Sequence, residues 1–266
     1  MCKGGWQKSF WKLIFDWGIV SLDADNPSGP PFAQGRLWRI CNKEFIMKFD
    51  TILFDLDGTL TDPAEGITNS IVHSLTYYGI TVADKRELYD FIGPPLHESY
   101  MRRFGMDEAT ALQAIEHYRE YFGVKGLLEN EVYHGIEQML CQLQAGGKRL
   151  LVATSKPEVF AVRILEHFGL ARYFTVICGA PLHPPAGYGK ADVIREAFVR
   201  AGVTDKSTAI MVGDRKHDII GAHKVGIPAV GVLFGYGDRA EHEACNADYI
   251  VSTVSELTTL LKEASA

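Results

Sequence analysis

The chain is short of cysteine, of basic excess and of long apolar runs, and each shortage removes a class of protein. Five cysteines, Cys2, Cys41, Cys141, Cys178 and Cys245, lie scattered among 266 residues. An odd number without any Cys-x-x-Cys spacing fits free thiols in a reducing compartment, so the expected location is cytoplasmic. Lysine and arginine together number 27 against 33 acidic residues, a net charge of −6. That balance offers no basic surface to a nucleic-acid backbone, although a local cationic pocket for a small anion stays open. No apolar run approaches the roughly 20 residues that cross a bilayer, so no membrane partner is expected. Internal repeats are missing as well, and biased composition is confined to residues 26–35, which carry three prolines and two glycines.

What remains is 47% hydrophobic content, enough to bury a full core in one large or two unequal domains. In residues 6–20 the aromatics alternate with Lys8, Lys12 and Asp16, charges that interrupt the apolar centre a signal peptide needs. Residues 1–46 are therefore expected to be an extension outside the fold, with Met47 as the natural start. The first clean strand follows at 51–54. It is β-branched and aromatic, and it runs directly into Asp55-Leu-Asp57-Gly58. Buried strands of open α/β sheets deliver functional groups at their carboxyl ends, and residues two apart on a strand share a side, so Asp55 and Asp57 are expected to face one crevice. Gly58 lets the chain turn sharply away.

After Asp62 and Pro63 the spacing turns helical. Ile67, Ile71, Leu75 and Tyr78 form one apolar face; 87–92 and 96–104 make two more helices; and 108–122 puts Ala111, Leu112, Ile115, Tyr118 and Phe122 on one side. No convincing strand appears in this block, which predicts an all-helical cap domain over 64–134, hinged at both ends. Gly93, Pro94 and Pro95 are expected to form a rigid turn of that cap near the site. From 135 onward helices at 136–144, 158–168, 191–201, 219–225 and 254–262 alternate with strands at 150–153, 176–178, 210–212, 229–232 and 249–251. The alternation predicts an α/β core, a three-layer Rossmann-like parallel sheet built from 47–63 and 135–266.

Polar clusters follow the predicted strands: Asp55 and Asp57, then Thr154, Ser155 and Lys156, then Lys190 before a helix, then Asp214 and Asp218. Carboxylates brought within about 4 Å repel by about 4 kcal/mol per pair at an effective dielectric of 20, so they need a cation or shifted pKa values. An oxygen-only donor set points to Mg²⁺, and a nearby hydroxyl and lysine suit the oxygens of a phosphoryl group. Asp62, Glu65, His73, His97 and His134 read by default as surface residues, and His217 as solvent-facing or supporting rather than ligating.

Asp-Leu-Asp-Gly-Thr-Leu at 55–60, Ala-Thr-Ser-Lys at 153–156, Lys190 and Gly-Asp-Arg-Lys-His-Asp at 213–218 resemble the four ordered motifs of the haloacid dehalogenase superfamily. A helical cap directly after the first motif is similar to the phosphoglycolate phosphatase and 5'-nucleotidase branch. The resemblance implies a Mg²⁺-dependent phosphatase acting on a small phosphorylated metabolite, as a monomer or homodimer. It implies Asp55 as nucleophile and Asp57 as general acid and base. Gly58, Thr154, Ser155 and Lys190 would meet the phosphoryl group, and Asp55, Asp57 (through its carbonyl), Asp214 and Asp218 would hold the metal. The proline-bearing stretch 179–189 departs from the loop expected before the third motif and leaves Lys156 as an alternative phosphate-neutralising lysine. Dehalogenation is disfavoured because that branch lacks the second carboxylate, here Asp57. A sugar-phosphate mutase and a catalytically silent binding protein of the same fold are the competing expectations.

Overall fold

The computed structural model describes residues 49–185 and 187–263. The expected extension over 1–46 and the start at Met47 lie outside the described residues. Six parallel strands form one sheet: β1 (Thr51–Phe54), β4 (Arg149–Pro157), β5 (Val176–Ala180), β6 (Ala209–Gly213), β7 (Ala229–Val232) and β8 (Tyr249–Val251), in the order β5-β4-β1-β6-β7-β8. A strand buried on both sides must be apolar throughout, and β1 is so. Ile52 and Phe54 enter the core cluster on one face, while Leu53 enters the other with Leu151, Ala153 and Met211. The helices α4 (Ile136–Ala145) and α9 (Val254–Glu263) contribute to the first cluster, and α6 (Lys190–Arg200) and α7 (Lys216–Val225) to the second. The expected three-layer α/β core is therefore present. Among the described residues no helix is long and apolar enough to cross a membrane.

Register sets the site. Phe54 pairs with Val152 on one side and with Val212 on the other. One step further along, Asp55 is level with Ala153 and Gly213, and Thr154 and Asp214 come next. The acidic, hydroxyl and glycine positions thus come level because three neighbouring strands run parallel and in register, with β4 continuing to Pro157.

Between the core segments lie α1 (Ala64–Thr76), a 3-10 helix (Lys85–Phe91), α2 (Leu96–Phe104), α3 (Glu108–Tyr121) and a π-helical turn (Phe122–Gly126). Two details correct the sequence reading. The block is not free of strand, because β2 (Thr61–Asp62) and β3 (Glu131–Val132) pair antiparallel at its base. Strands of two residues carry no periodicity, so pattern cannot find them. Leu112 belongs to the wrong face: it is 53% exposed, while Ala111, Ala114, Ile115 and Tyr118 are buried. Position 112 is one residue off the three- and four-residue steps that the buried set follows. A short helix, α8 (Arg239–Ala244), capped by the Asp238 side chain on Glu241 N–H, also escaped the apolar pattern because its Arg-Ala-Glu-His-Glu-Ala sequence is almost all polar.

The helical insert is held against the core by three guanidinium groups that donate to backbone carbonyls across the seam. Arg119 reaches Leu182 O at 2.7 Å, Arg163 of α5 (Glu158–His167) reaches Gly123 O at 2.8 Å, and Arg215 reaches Ile92 O at 2.7 Å. Phe122 adds an edge-to-face contact with Phe160.

Leu53 is wholly buried in the central strand. Leu53→Ala is expected to cost about 2–5 kcal/mol through lost transfer energy and a cavity. Urea unfolding checks this, as a lower midpoint at unchanged slope.

Candidate functional site

The loop after β1 is wound tightly by its own backbone. Leu56 O accepts from the N–H groups of Thr59, Leu60 and Thr61, and Gly58 N–H donates to Thr61 O at 2.8 Å. Asp55 is fixed at the strand end by its own N–H to Val212 O, 2.9 Å. Gly58 has φ +80°, a left-handed conformation that glycine alone adopts freely, and a Cβ there would lie 2.1 Å from Asp214 Oδ2. The glycine therefore lets the loop carrying Asp55 and Asp57 close onto the loop carrying Asp214. Gly235 does the same from the far side, where a Cβ would lie 2.2 Å from Gly58 O.

Three buried carboxylates, Asp55, Asp214 and Asp218, each place an oxygen within 4.8 Å of the others. Lys190 sits among them: its Nζ is 2.8 Å from Asp55 Oδ1, 2.7 Å from Asp218 Oδ1 and 3.0 Å from Ala153 O. Burial alone would discharge this lysine, yet Asp218 and Asp55 outweigh burial and raise its pKa, so the ammonium stays charged. Lys190 opens α6 rather than preceding it, and its side chain runs past Gly221 of α7, where a Cβ would come within 2.8 Å of the lysine stem. With all three carboxyls ionised, one ammonium leaves two negative charges uncompensated, and that excess favours proton or cation uptake. Asp214 Oδ2 accepts Tyr236 N–H at 2.9 Å, while its Oδ1 is buried without a protein partner. A hard divalent cation fits this all-oxygen donor set and its charge.

Asp57 is arranged differently. Its Oδ2 pairs with Lys156 Nζ at 2.9 Å, and that Nζ also lies 4.4 Å from the centre of the Phe122 ring of the insert. Burial raises the Asp57 carboxyl above its ordinary range, with Asp55 adding to the rise and Lys156 opposing it. The two lysines thus divide the acidic groups between them: Lys190 serves Asp55 and Asp218, and Lys156 serves Asp57. Thr154 is buried and its Oγ1 accepts Lys156 N–H at 3.2 Å, which leaves the hydroxyl hydrogen to donate elsewhere. Ser155, by contrast, is exposed. Tyr118 faces Asp57 from the insert, and burial together with that carboxylate pushes its phenol well above the usual value.

Other flagged residues lie outside this cluster. His73 bonds Glu120, and His97 lies near Glu98, both on the insert surface. Glu65 is exposed. Burial, then Lys216 and Arg215, lowers the pKa of His217, so its imidazole favours the neutral form. Asp62 is the exception: its Oδ1 caps α1 at Ala64 N–H and accepts the Tyr236 hydroxyl. Sequence reasoning missed Tyr236 and Glu241. The one available signal for Tyr236 was its place in Gly-Tyr-Gly after a strand end; nothing marked Glu241, which lies on the unpredicted α8.

A parallel α/β sheet that gathers carboxylates, lysines and a buried hydroxyl at the carboxyl ends of its strands suits a hard cation and the oxygens of a phosphoryl group. The family model described as "Haloacid dehalogenase-like hydrolase" matches residues 52–232. The chain belongs to that family. It is 41% identical over 220 residues to a 5'-nucleotidase of Pseudomonas aeruginosa, covering 83% of this chain and 99% of that one. Identity is 40% over 208 residues to the tyrosine-protein kinase PtkA of Mycobacterium tuberculosis, covering 78% of this chain and 67% of the relative. A phosphoglycolate phosphatase of Agrobacterium fabrum is 34% identical over 224 residues, covering 79% of this chain and 91% of that one. Among solved structures, a predicted phosphatase of Clostridium acetobutylicum superposes with a TM-score of 0.77 at 48% identity, covering 81% of this chain and 99% of that one. The family match, with the 5'-nucleotidase and phosphoglycolate phosphatase relatives, makes the chain a hydrolase of the phosphatase type.

Burial raises the pKa of Asp214 and of Asp218. A carboxyl raised on folding stabilises the native state below its unfolded pKa, and that stabilisation is lost as pH climbs through the folded value. Metal-free protein should therefore lose stability above the ordinary carboxyl range, while the deprotonated cluster gains affinity for a cation. The rise in Tm on adding Mg²⁺ is expected to be larger at pH 8 than at pH 5, and scanning calorimetry with and without EDTA measures it.

Proposed function

We propose that the protein is a Mg²⁺-dependent phosphatase for a small phosphomonoester, of the 2-phosphoglycolate or nucleoside 5'-monophosphate class. The observation that carries this reading is the Lys190 bridge between Asp55 and Asp218 beside the bare Oδ1 of Asp214. Once the three carboxyls are ionised, it leaves two buried negative charges uncompensated next to the Asp55 carboxyl at a strand end. Asp55, Asp214, Asp218 and the Asp57 carbonyl would hold Mg²⁺, which would supply positive charge to the phosphoryl oxygens.

An Asp55 oxygen attacks phosphorus as the ester P–O bond breaks, and Asp57 gives its proton to the leaving oxygen, forming an aspartyl phosphate. A carboxyl whose pKa burial raises, against the pull of Lys156, gives up its proton less readily to water and suits that first step. Asp57, now a carboxylate, then takes a proton from water, whose oxygen attacks the phosphoryl group; phosphate departs and Asp55 is regenerated. Thr154 and the Gly58 loop cradle phosphoryl oxygens, and Lys190 offsets the charge on nucleophile and phosphate. Of the two lysines, Lys190 is assigned this role because it meets Asp55 directly, whereas Lys156 is committed to Asp57.

In this reading residues 64–134 are a cap domain on a core of 47–63 and 135–266, and its seated position keeps bulk water from the acyl phosphate. The free thiols Cys141, Cys178 and Cys245 support a cytoplasmic location.

Phosphate release from 2-phosphoglycolate and from nucleoside 5'-monophosphates is expected with Mg²⁺ and not with EDTA. An isomerised sugar phosphate in place of free phosphate would identify a mutase instead. Asp55→Asn is expected to lower turnover by at least about 10³-fold, the scale of losing a nucleophile, and retained hydrolysis would overturn the assignment.

A further inference from the structure

Among the described residues three arginines cross the seam between insert and core, and of these Arg215 alone does so from inside the acidic loop. It directly follows Asp214, and its own N–H donates to Asp218 Oδ2 at 3.1 Å. Its side chain leaves that loop in two directions. Nε and Nη2 meet the Glu241 carboxylate at 3.0 and 3.3 Å, and Nη1 donates to Ile92 O of the insert at 2.7 Å. Glu241 is itself fixed by Lys216 N–H, 2.7 Å from its Oε1. The guanidinium is therefore aimed by a paired carboxylate, which turns an Nη1 N–H toward the insert.

The insert is shaped to receive it. Gly93, next to Ile92, has φ +103°, and a Cβ there would lie 3.0 Å from Arg215 Nη1. Pro94 and Pro95 then stiffen the turn. A second thread runs parallel to the first. Tyr236, whose N–H holds Asp214 Oδ2, also bonds the Asp62 carboxylate at the base of the insert and meets Tyr89 edge-on at 6.1 Å. Both threads end on Asp214 or on its neighbour.

We propose that Arg215 is a positioning residue that links cation binding at Asp55, Asp214 and Asp218 to seating of the helical insert, through the hydrogen bond to Ile92 O. The proposal rests on the reading of those carboxylates as a divalent-metal site. The same short segment orients Asp214 and Asp218 and grips the insert, so ordering it from either side favours the other. By linkage the effect is reciprocal: a bound cation holds the insert down, and a seated insert raises cation affinity. Lysine cannot take this place. A single ammonium lacks the planar fork that meets both oxygens of Glu241 and still presents a further N–H to a carbonyl.

Hydrogen exchange of residues 89–95 in the full chain, with and without Mg²⁺, reads insert seating; calorimetric titration with Mg²⁺ reads affinity. In the wild type Mg²⁺ is expected to slow exchange in that segment. Arg215→Lys, which keeps the charge beside Glu241, is expected to lose the slowing and to raise the Mg²⁺ Kd about tenfold, the scale of one lost charge-assisted hydrogen bond. Gly93→Ala should act from the insert side, and the double variant should be no worse than the more severe single one. Undiminished slowing in Arg215→Lys, or additive effects in the double variant, would overturn the linkage while leaving the metal site standing. Failure of the wild type to bind Mg²⁺ would overturn the metal reading and the linkage together.

Discussion

A buried lysine shared by two buried aspartates, Lys190 between Asp55 and Asp218, is the constraint on which the rest of this structure depends. An unpaired charge at such depth would cost several kcal/mol, so each member needs the others in place. The three come from the end of β1, the first residue of α6 and the first turn of α7, and only a parallel sheet with helices behind it brings those points together. The close packing of α6 against α7 at Gly221 follows from the same need, since the lysine stem must pass between the helices. Chemistry and architecture are thus one requirement: the ion pairs orient the helices, and the helices keep water from the ion pairs.

Partial neutralisation is what gives the centre its use. Complete pairing would leave an inert structural network, and no pairing would make the fold unstable. With Lys190 engaging two carboxylates and Tyr236 N–H occupying one oxygen of Asp214, the remaining oxygen and the remaining charge favour a cation and a phosphoryl group. Asp57, set apart by Lys156 and raised by burial, has the separate environment that the proposed proton transfer requires. Two carboxylates two residues apart therefore acquire different environments, the physical basis for different tasks.

Much of this was legible in the chain, for a specific reason. Asp55, Thr154 and Asp214 follow apolar strands, and in a parallel sheet strand ends converge, so their meeting was readable from pattern alone. Lys190 and Lys156 were not separable in that way, because a lysine's reach depends on the direction in which its helix or strand projects it; their ion-pair partners differ, Asp55 and Asp218 for the first and Asp57 for the second. Leu112 was misplaced because a run of apolar residues at consecutive positions does not reveal which one turns outward. The grip of Arg215 on Ile92 was out of reach altogether. Its acceptor is a backbone carbonyl, and every residue has one. The expected turn at Gly93 was nonetheless in the right place, since a left-handed glycine before two prolines is a local property that distant contacts do not alter.

The small ribbon formed by Thr61–Asp62 and Glu131–Val132 joins the outgoing and returning chains of the insert. Two separate tethers would each have to be fixed on their own. Here the two chains are bonded side by side, so one short ladder fixes both. The contacts of Phe122 with Lys156, of Ile92 with Arg215 and of Tyr89 with Tyr236 therefore all depend on a single joint.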